Sequence, residues 1–294
     1  MLPDTVHKLP QSERFAYARL LAYMTRVDNE LTVEEMSMFE QRLGTALLSP
    51  KQRQMIRADL KNPPPLDECL EGMGDEAGRL ALRDAVLMAA SDGTVDEDER
   101  EVLEEIAEHL DLAPDAINRL LKWTVEGYAW MQAGYDLLND LSRCILLPDA
   151  ALALAEEQRR KIACTLVMVA AADGALVREE ISAIESAMGL MMLHPESREE
   201  VRQLLTQPPD LDSILNGMEV SSIRLALRDA ALLASVDGDY DEAELAALRK
   251  ICDAAGLSEK ELSKILDWVA DYWKMSANGR SIISLPLPGD EDIL

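Results

Sequence analysis

The chain has 294 residues, with 29 Lys and Arg against 55 Asp and Glu, a formal net charge of −26, 48% hydrophobic residues and 4% aromatic ones. So many apolar residues build a core and exclude a wholly disordered chain. The acidic excess argues against direct nucleic-acid binding, because phosphate recognition relies on Lys and Arg to release counterions.

In chain order, apolar residues recurring at spacings of three and four predict helices over 12–27, 33–46, 50–61, 66–73, 76–91, 96–110 and 114–132. Pro50 stands at a helix start, where its missing N–H costs little, and Pro63, Pro64 and Pro65 end a helix. In 76–91 the residues Leu80, Leu82, Ala85, Val86, Met88 and Ala89 leave almost no polar face, which predicts a buried central helix. Val102, Leu103, Ile106 and Leu110 instead form one stripe against Glu101, Glu104, Glu105 and Glu108. Alternation of the strand kind is rare, so the expected class is all-α.

The same pattern then repeats. Arg79-Leu-Ala-Leu-Arg-Asp-Ala85 recurs unchanged as Arg224 to Ala230, an offset of 145 residues, and that register also carries Asp28 onto Asp173, Pro50 onto Pro195, Gly72-Met73 onto Gly217-Met218 and Trp123 onto Trp268. The expectation is an internal duplication into two tandem helical bundles of about seven helices each: copy one over 1–134, a linker over 135–156, copy two over 157–279 and an acidic tail over 280–294. Within each copy a fainter spacing of 64 links Asp28 to Asp92 and Asp173 to Asp237, so each copy reads as two related helical hairpins.

The four hairpin turns carry the repeated polar chemistry: Asp28-Asn29 to Glu35, Asp92-Gly93 to Glu99, Asp173-Gly174 to Glu180 and Asp237-Gly238 to Glu244. Two accounts of them stand together. In the first they are caps: Gly or Asn tolerates the left-handed conformation after a helix end, and Thr32, Asp96 and Asp241, each three residues before a Glu, form capping boxes. In the second they hold a hard divalent ion such as calcium, magnesium or manganese through Asp28, Glu35, Asp92, Asp96, Glu99, Asp173, Glu180, Asp237, Asp241 and Glu244. The leading Asp favours the second account, since a carboxylate meets the unfavourable end of the dipole at a helix C-terminus. The turns are not EF-hands, because their twelfth positions are apolar and Gly stands second, not sixth.

Ala89-Ala-Ser-Asp-Gly93 to Glu99 and Ala170-Ala-Ala-Asp-Gly174 to Glu180, with Leu112 and Gly256-Leu257 closing later helices, resemble the tellurite-resistance TerB-like family. The resemblance covers both copies; the turns at Asp28 and Asp173 depart from it, with Asn29 and Arg178. It implies an all-helical bundle with acidic sites that bind metal ions and a cytoplasmic role in stress response or defence, beside protein partners that include membrane-associated complexes. It supplies no reaction.

Nothing else in the sequence points to catalysis. His7, His109 and His194 do not match between copies, and no Gly-rich phosphate loop is present. Cys69, Cys144, Cys164 and Cys252 stand singly, as buried reduced thiols do. The most apolar stretch, 164–172, is too short to cross a bilayer, and the first residues do not form a signal peptide, so a cytoplasmic protein is expected. Arg83-Asp84 and Arg228-Asp229 suggest ion pairs within apolar helices. Trp123 and Trp268 are expected in the core, and Trp130, Tyr272 and Trp273 at the joint between copies or against a partner helix. The tail is either a frayed end or a docking motif. The expected function is a non-enzymatic acidic module for divalent-cation-linked protein association. The alternatives are a structural scaffold or adaptor with no metal role, and an acidic mimic of nucleic acid that occupies a basic partner.

Overall fold

The computed structural model describes residues 5–27, 31–91, 93–138, 150–172, 174, 176–208, 210–236 and 240–287. The described residues form an all-α fold: α1 (Gln11–Met24), α2 (Val33–Thr45), α3 (Pro50–Asp59), α4 (Leu66–Leu70), α5 (Asp75–Ala89), α6 (Glu97–His109), α7 (Ala116–Leu137), α8 (Glu156–Ala170), α9 (Arg178–Leu190), α10 (Pro195–Leu204), α11 (Leu211–Leu215), α12 (Val220–Ala234), α13 (Glu242–Ala254) and α14 (Glu259–Ile282). Short 3-10 turns cover Thr5–Lys8 and Ala150–Ala153. Among the described residues no helix is long and apolar enough to cross a membrane.

Local chemistry sets the boundaries. Ser49 accepts a hydrogen bond from the Gln52 N–H, and Pro50 occupies the first turn of α3; Ser258 caps α14 in the same way through Glu261. The apolar helix α5 is central to the first half, packing on α1, α2, α6 and α7, while α12 packs on α8, α9, α13 and α14 in the second. Leu80, Leu82, Ala85 and Val86 are fully buried there, as are Ala226, Leu227, Ala230 and Ala231 at or near the same register in α12.

Two crossings join the halves. At the first, α2 meets α9 so closely that a Cβ on Gly44 would stand 2.3 Å from the Glu185 carbonyl oxygen, and one on Gly189 2.1 Å from that of Glu40. Only glycine permits such backbone contact. Ser37 Oγ donates to Leu190 O at 2.5 Å and Ser182 Oγ to Thr45 O at 2.9 Å. Buried carboxylates flank the contact: Glu185 receives Arg53 (3.1 Å) and Arg202 (2.5 Å), and Glu40 receives Arg198 (2.7 Å) and Arg57 (3.6 Å). All of these pairs are related by the 145-residue offset.

At the second crossing, α7 lies along α14. Trp123 Nε1 donates to Met275 O and Trp268 Nε1 to Trp130 O, both at 2.8 Å, while Trp130 stacks on Trp268 with centroids 4.2 Å apart and planes 4° apart. The Trp268 ring lies where a Cβ on Gly134 would be, and the Trp123 ring where one on Gly279 would be. Trp130 and Tyr272 thus cover the joint.

Helix ends are traded between the halves. Tyr135 and Leu138, at the end of α7, join the apolar core of the second half; Ile282 and Ile283, at the end of α14, join that of the first. Both helices therefore run past the stops expected from sequence, α7 to Leu137 instead of 132, because their last turns are satisfied by the opposite half. Arg280 is fully buried, with Nη1 on Thr5 Oγ1 at 3.1 Å and Nε on Pro286 O at 2.5 Å, so the start of the acidic tail segment is core.

Candidate functional site

Of the ten carboxylates proposed from sequence, Asp28, Asp92, Asp173 and Asp237 lie outside the described residues. The other six all act at helix starts. Glu35, Glu99, Glu180 and Glu244 are buried and accept the backbone N–H of Thr32 (2.8 Å), Asp96 (3.1 Å), Val177 (2.8 Å) and Asp241 (3.0 Å). In return the Thr32 hydroxyl accepts from Glu35 N at 3.1 Å, Asp96 from Glu99 N at 2.7 Å and Asp241 from Glu244 N at 2.7 Å. Val177 has no acceptor side chain, so the box at α9 is half formed. Gly93 and Gly174 hold φ of 97° and 90°, the left-handed conformation that the capping account requires. Among the described residues no three His, Cys, Asp or Glu side chains converge as metal ligands.

His7 Nε2 lies 3.3 Å from Glu179 at the contact of the first turn with α9. Cys69, Cys164 and Cys252 are buried and free, and burial pushes the Cys69 thiol up to about 11. Cys144 lies outside the described residues.

A second polar constellation joins α1, α2 and α5 and was only half visible in the sequence. Asp84 is fully buried. Its Oδ2 accepts the Tyr17 hydroxyl at 2.6 Å, and its Oδ1 accepts Arg83 Nε at 2.9 Å and Nη2 at 2.8 Å. Arg42 Nη2 stands 3.7 Å from Oδ1. Burial, then the charge of Asp84, holds the Tyr17 phenol well above its ordinary value, against the opposing pull of Arg42 and Arg83. The pair Arg83-Asp84 was legible as a motif; Tyr17 and Arg42 were not, because three separate helices bring them together. Arg42 and Arg83 border a cavity of about 80 Å³ between α2, α5, α7 and α14, whose walls include Met38, Leu87, Trp123 and Trp130.

The outer surface differs between matched helices. On α6 the exposed residues include Glu97, Asp98, Glu101, Glu104, Glu105 and Glu108, whereas α13 exposes Glu242 and Asp253 beside Arg249 and Lys250. No protein-family model, curated protein or solved structure matches the chain.

Proposed function

We propose that the chain is a non-enzymatic, acidic association module of the cytoplasm, in which two joined helical bundles present the outer face of α6 to a basic surface on a partner protein. The observation that carries this proposal is the run of exposed carboxylates on α6, which the matched helix α13 lacks. Arg14, Arg83, Arg198, Arg228 and Arg280 are buried, spent on Asp84, Asp229, Glu40, carbonyl oxygens and other internal groups. On α6 the carboxylates of Glu97, Asp98, Glu101, Glu104, Glu105 and Glu108 face solvent. Such a field speeds encounter with a cationic partner and fades as salt is added. A stress-response or defence setting follows from the TerB-like resemblance alone. The capping bonds of the six described turn carboxylates favour the adaptor over divalent-cation-linked association.

The test is binding of a lysine- and arginine-rich peptide to the full chain at two salt concentrations. Reversing Glu101, Glu105 and Glu108 to Lys should weaken binding about tenfold more than reversing Glu242, Asp253 and Glu259, which makes the same change in net charge. Equal losses from the two triple variants would sink the assignment to α6. Unfolding with calcium, magnesium or manganese against a chelator separates the cation-linked alternative, which requires a rise in midpoint that Asp92→Asn with Asp237→Asn removes.

A further inference from the structure

We propose that the cavity between α2, α5, α7 and α14 binds a small organic carboxylate with an apolar body, and that the Arg42 guanidinium holds its carboxylate. The inference is independent of the acidic face on α6.

The first support is the state of Arg42. Its side chain is more than nine-tenths buried, and its only ion pair among the described residues is the 3.7 Å approach to Asp84, too long for a hydrogen bond. Its buried Nε has no acceptor. A guanidinium carries five donors, and a ligand carboxylate would give this one the charge-assisted hydrogen bonds that it lacks. Asp84 is already engaged by Tyr17 on one oxygen and by Arg83 on the other.

The second support is the wall. Met38, Leu87, Trp123, Trp130, Met131 and Met275 surround the space with apolar surface, and methionines adapt to varied shapes. The cavity of about 80 Å³ is open to solvent, so a small ligand seats part of its apolar body inside and leaves the rest at the opening.

The matched place in the second half is an internal control. There Ala183 and Ala187 replace Met38 and Arg42, Arg228 lies over the Tyr135 ring at 5.0 Å, and the space shrinks to about 20 Å³. The same backbone plan therefore does not require a guanidinium at this position. Arg42 is an addition to the fold and not one of its supports.

Benzoate and hexanoate are the probes, titrated into the full chain and followed by tryptophan fluorescence, since Trp123 and Trp130 line the space, and by calorimetry. Benzamide is the uncharged control. The expected result is saturable binding of the acids, with benzamide about tenfold weaker or more. Arg42→Ala, which reproduces the residue at 187, should weaken benzoate by a similar factor. Ser276→Phe, which adds a ring at a residue lining the cavity and leaves Arg42 in place, should abolish binding. Benzamide binding as tightly as benzoate would overturn the proposal, as would acid binding that either folded variant leaves unchanged. So would an absence of saturation by both acids in the millimolar range. Should Arg42→Ala fail to fold, Ser276→Phe and the benzamide comparison still decide.

Discussion

At matched positions the first half places Tyr17, Arg42 and Asp84 where the second places Ile162, Ala187 and Asp229. In the first half, Asp84 gathers a phenol and two guanidinium groups under a cavity. In the second, Asp229 keeps only its neighbour Arg228 among these partners, and Arg228 leans on Tyr135. The contrast shows that the helical framework needs the Arg-Asp pair and tolerates either an apolar or a charged setting around it. What both halves share is the crossing between them, built from glycine contacts, serine hydroxyls and arginine-carboxylate pairs that recur at one offset. Shared features therefore mark stability, and unshared ones mark where function can differ.

The largest expected effect tests the shared crossing. Gly44→Ala puts a methyl against the backbone of Glu185, which cannot rotate away, and should cost at least about 3 kcal/mol in a urea melt. Gly189→Ala should match it; a harmless substitution at either site would break the symmetry of the crossing. Next comes Glu185→Gln. Burial pushes the Glu185 carboxyl up, but its hydrogen bonds and charge pairing with Arg202 and Arg53 outweigh that and leave it below its ordinary value of 4.5. Its stabilising contribution is therefore present above pH 4.5 and lost as pH falls through the lowered folded value. The variant should lose about 2 kcal/mol at neutral pH and show a flatter acid limb in melts run across pH.

A smaller effect isolates the charged cluster of the first half. Tyr17→Phe removes the hydroxyl that Asp84 accepts and should cost about 1 kcal/mol by denaturant titration. A neutral result would mean that the hydrogen bonds from Arg83 suffice for Asp84. The smallest effect is a gain. Val177→Asp completes the half-formed box at α9 and should add about 0.5 kcal/mol in the same titration, whereas Asp241→Ala should lose about 1 kcal/mol from its counterpart at α13.

Much of the helical plan was legible locally. Pro50, the capping boxes and the near-continuous apolar face of α5 each act within a few residues, so periodicity and punctuation found α2, α3, α5 and α6 nearly residue for residue. The last turns of α7 and α14 were missed because Tyr135 and Ile282 find their partners across the joint. Of the turn carboxylates, the boxes at Glu35, Glu99 and Glu244 were readable as caps, since S/T/D followed three residues later by Glu is a local signature. The Tyr17 and Arg42 contacts have no such signature. Gly44 and Gly189 did leave one: a glycine inside a helix costs about 1 kcal/mol, so its presence at the same register in both halves points to a backbone contact.

The traded helix ends limit how this molecule can be taken apart. An isolated first half would surrender Ile282 and Ile283 and expose the sockets they fill, and an isolated second half would lose Tyr135 and Leu138. Neither half is then a portable part to be moved between chains. The smallest unit that keeps both cores closed is the pair, and any partner must recognise it as one solid.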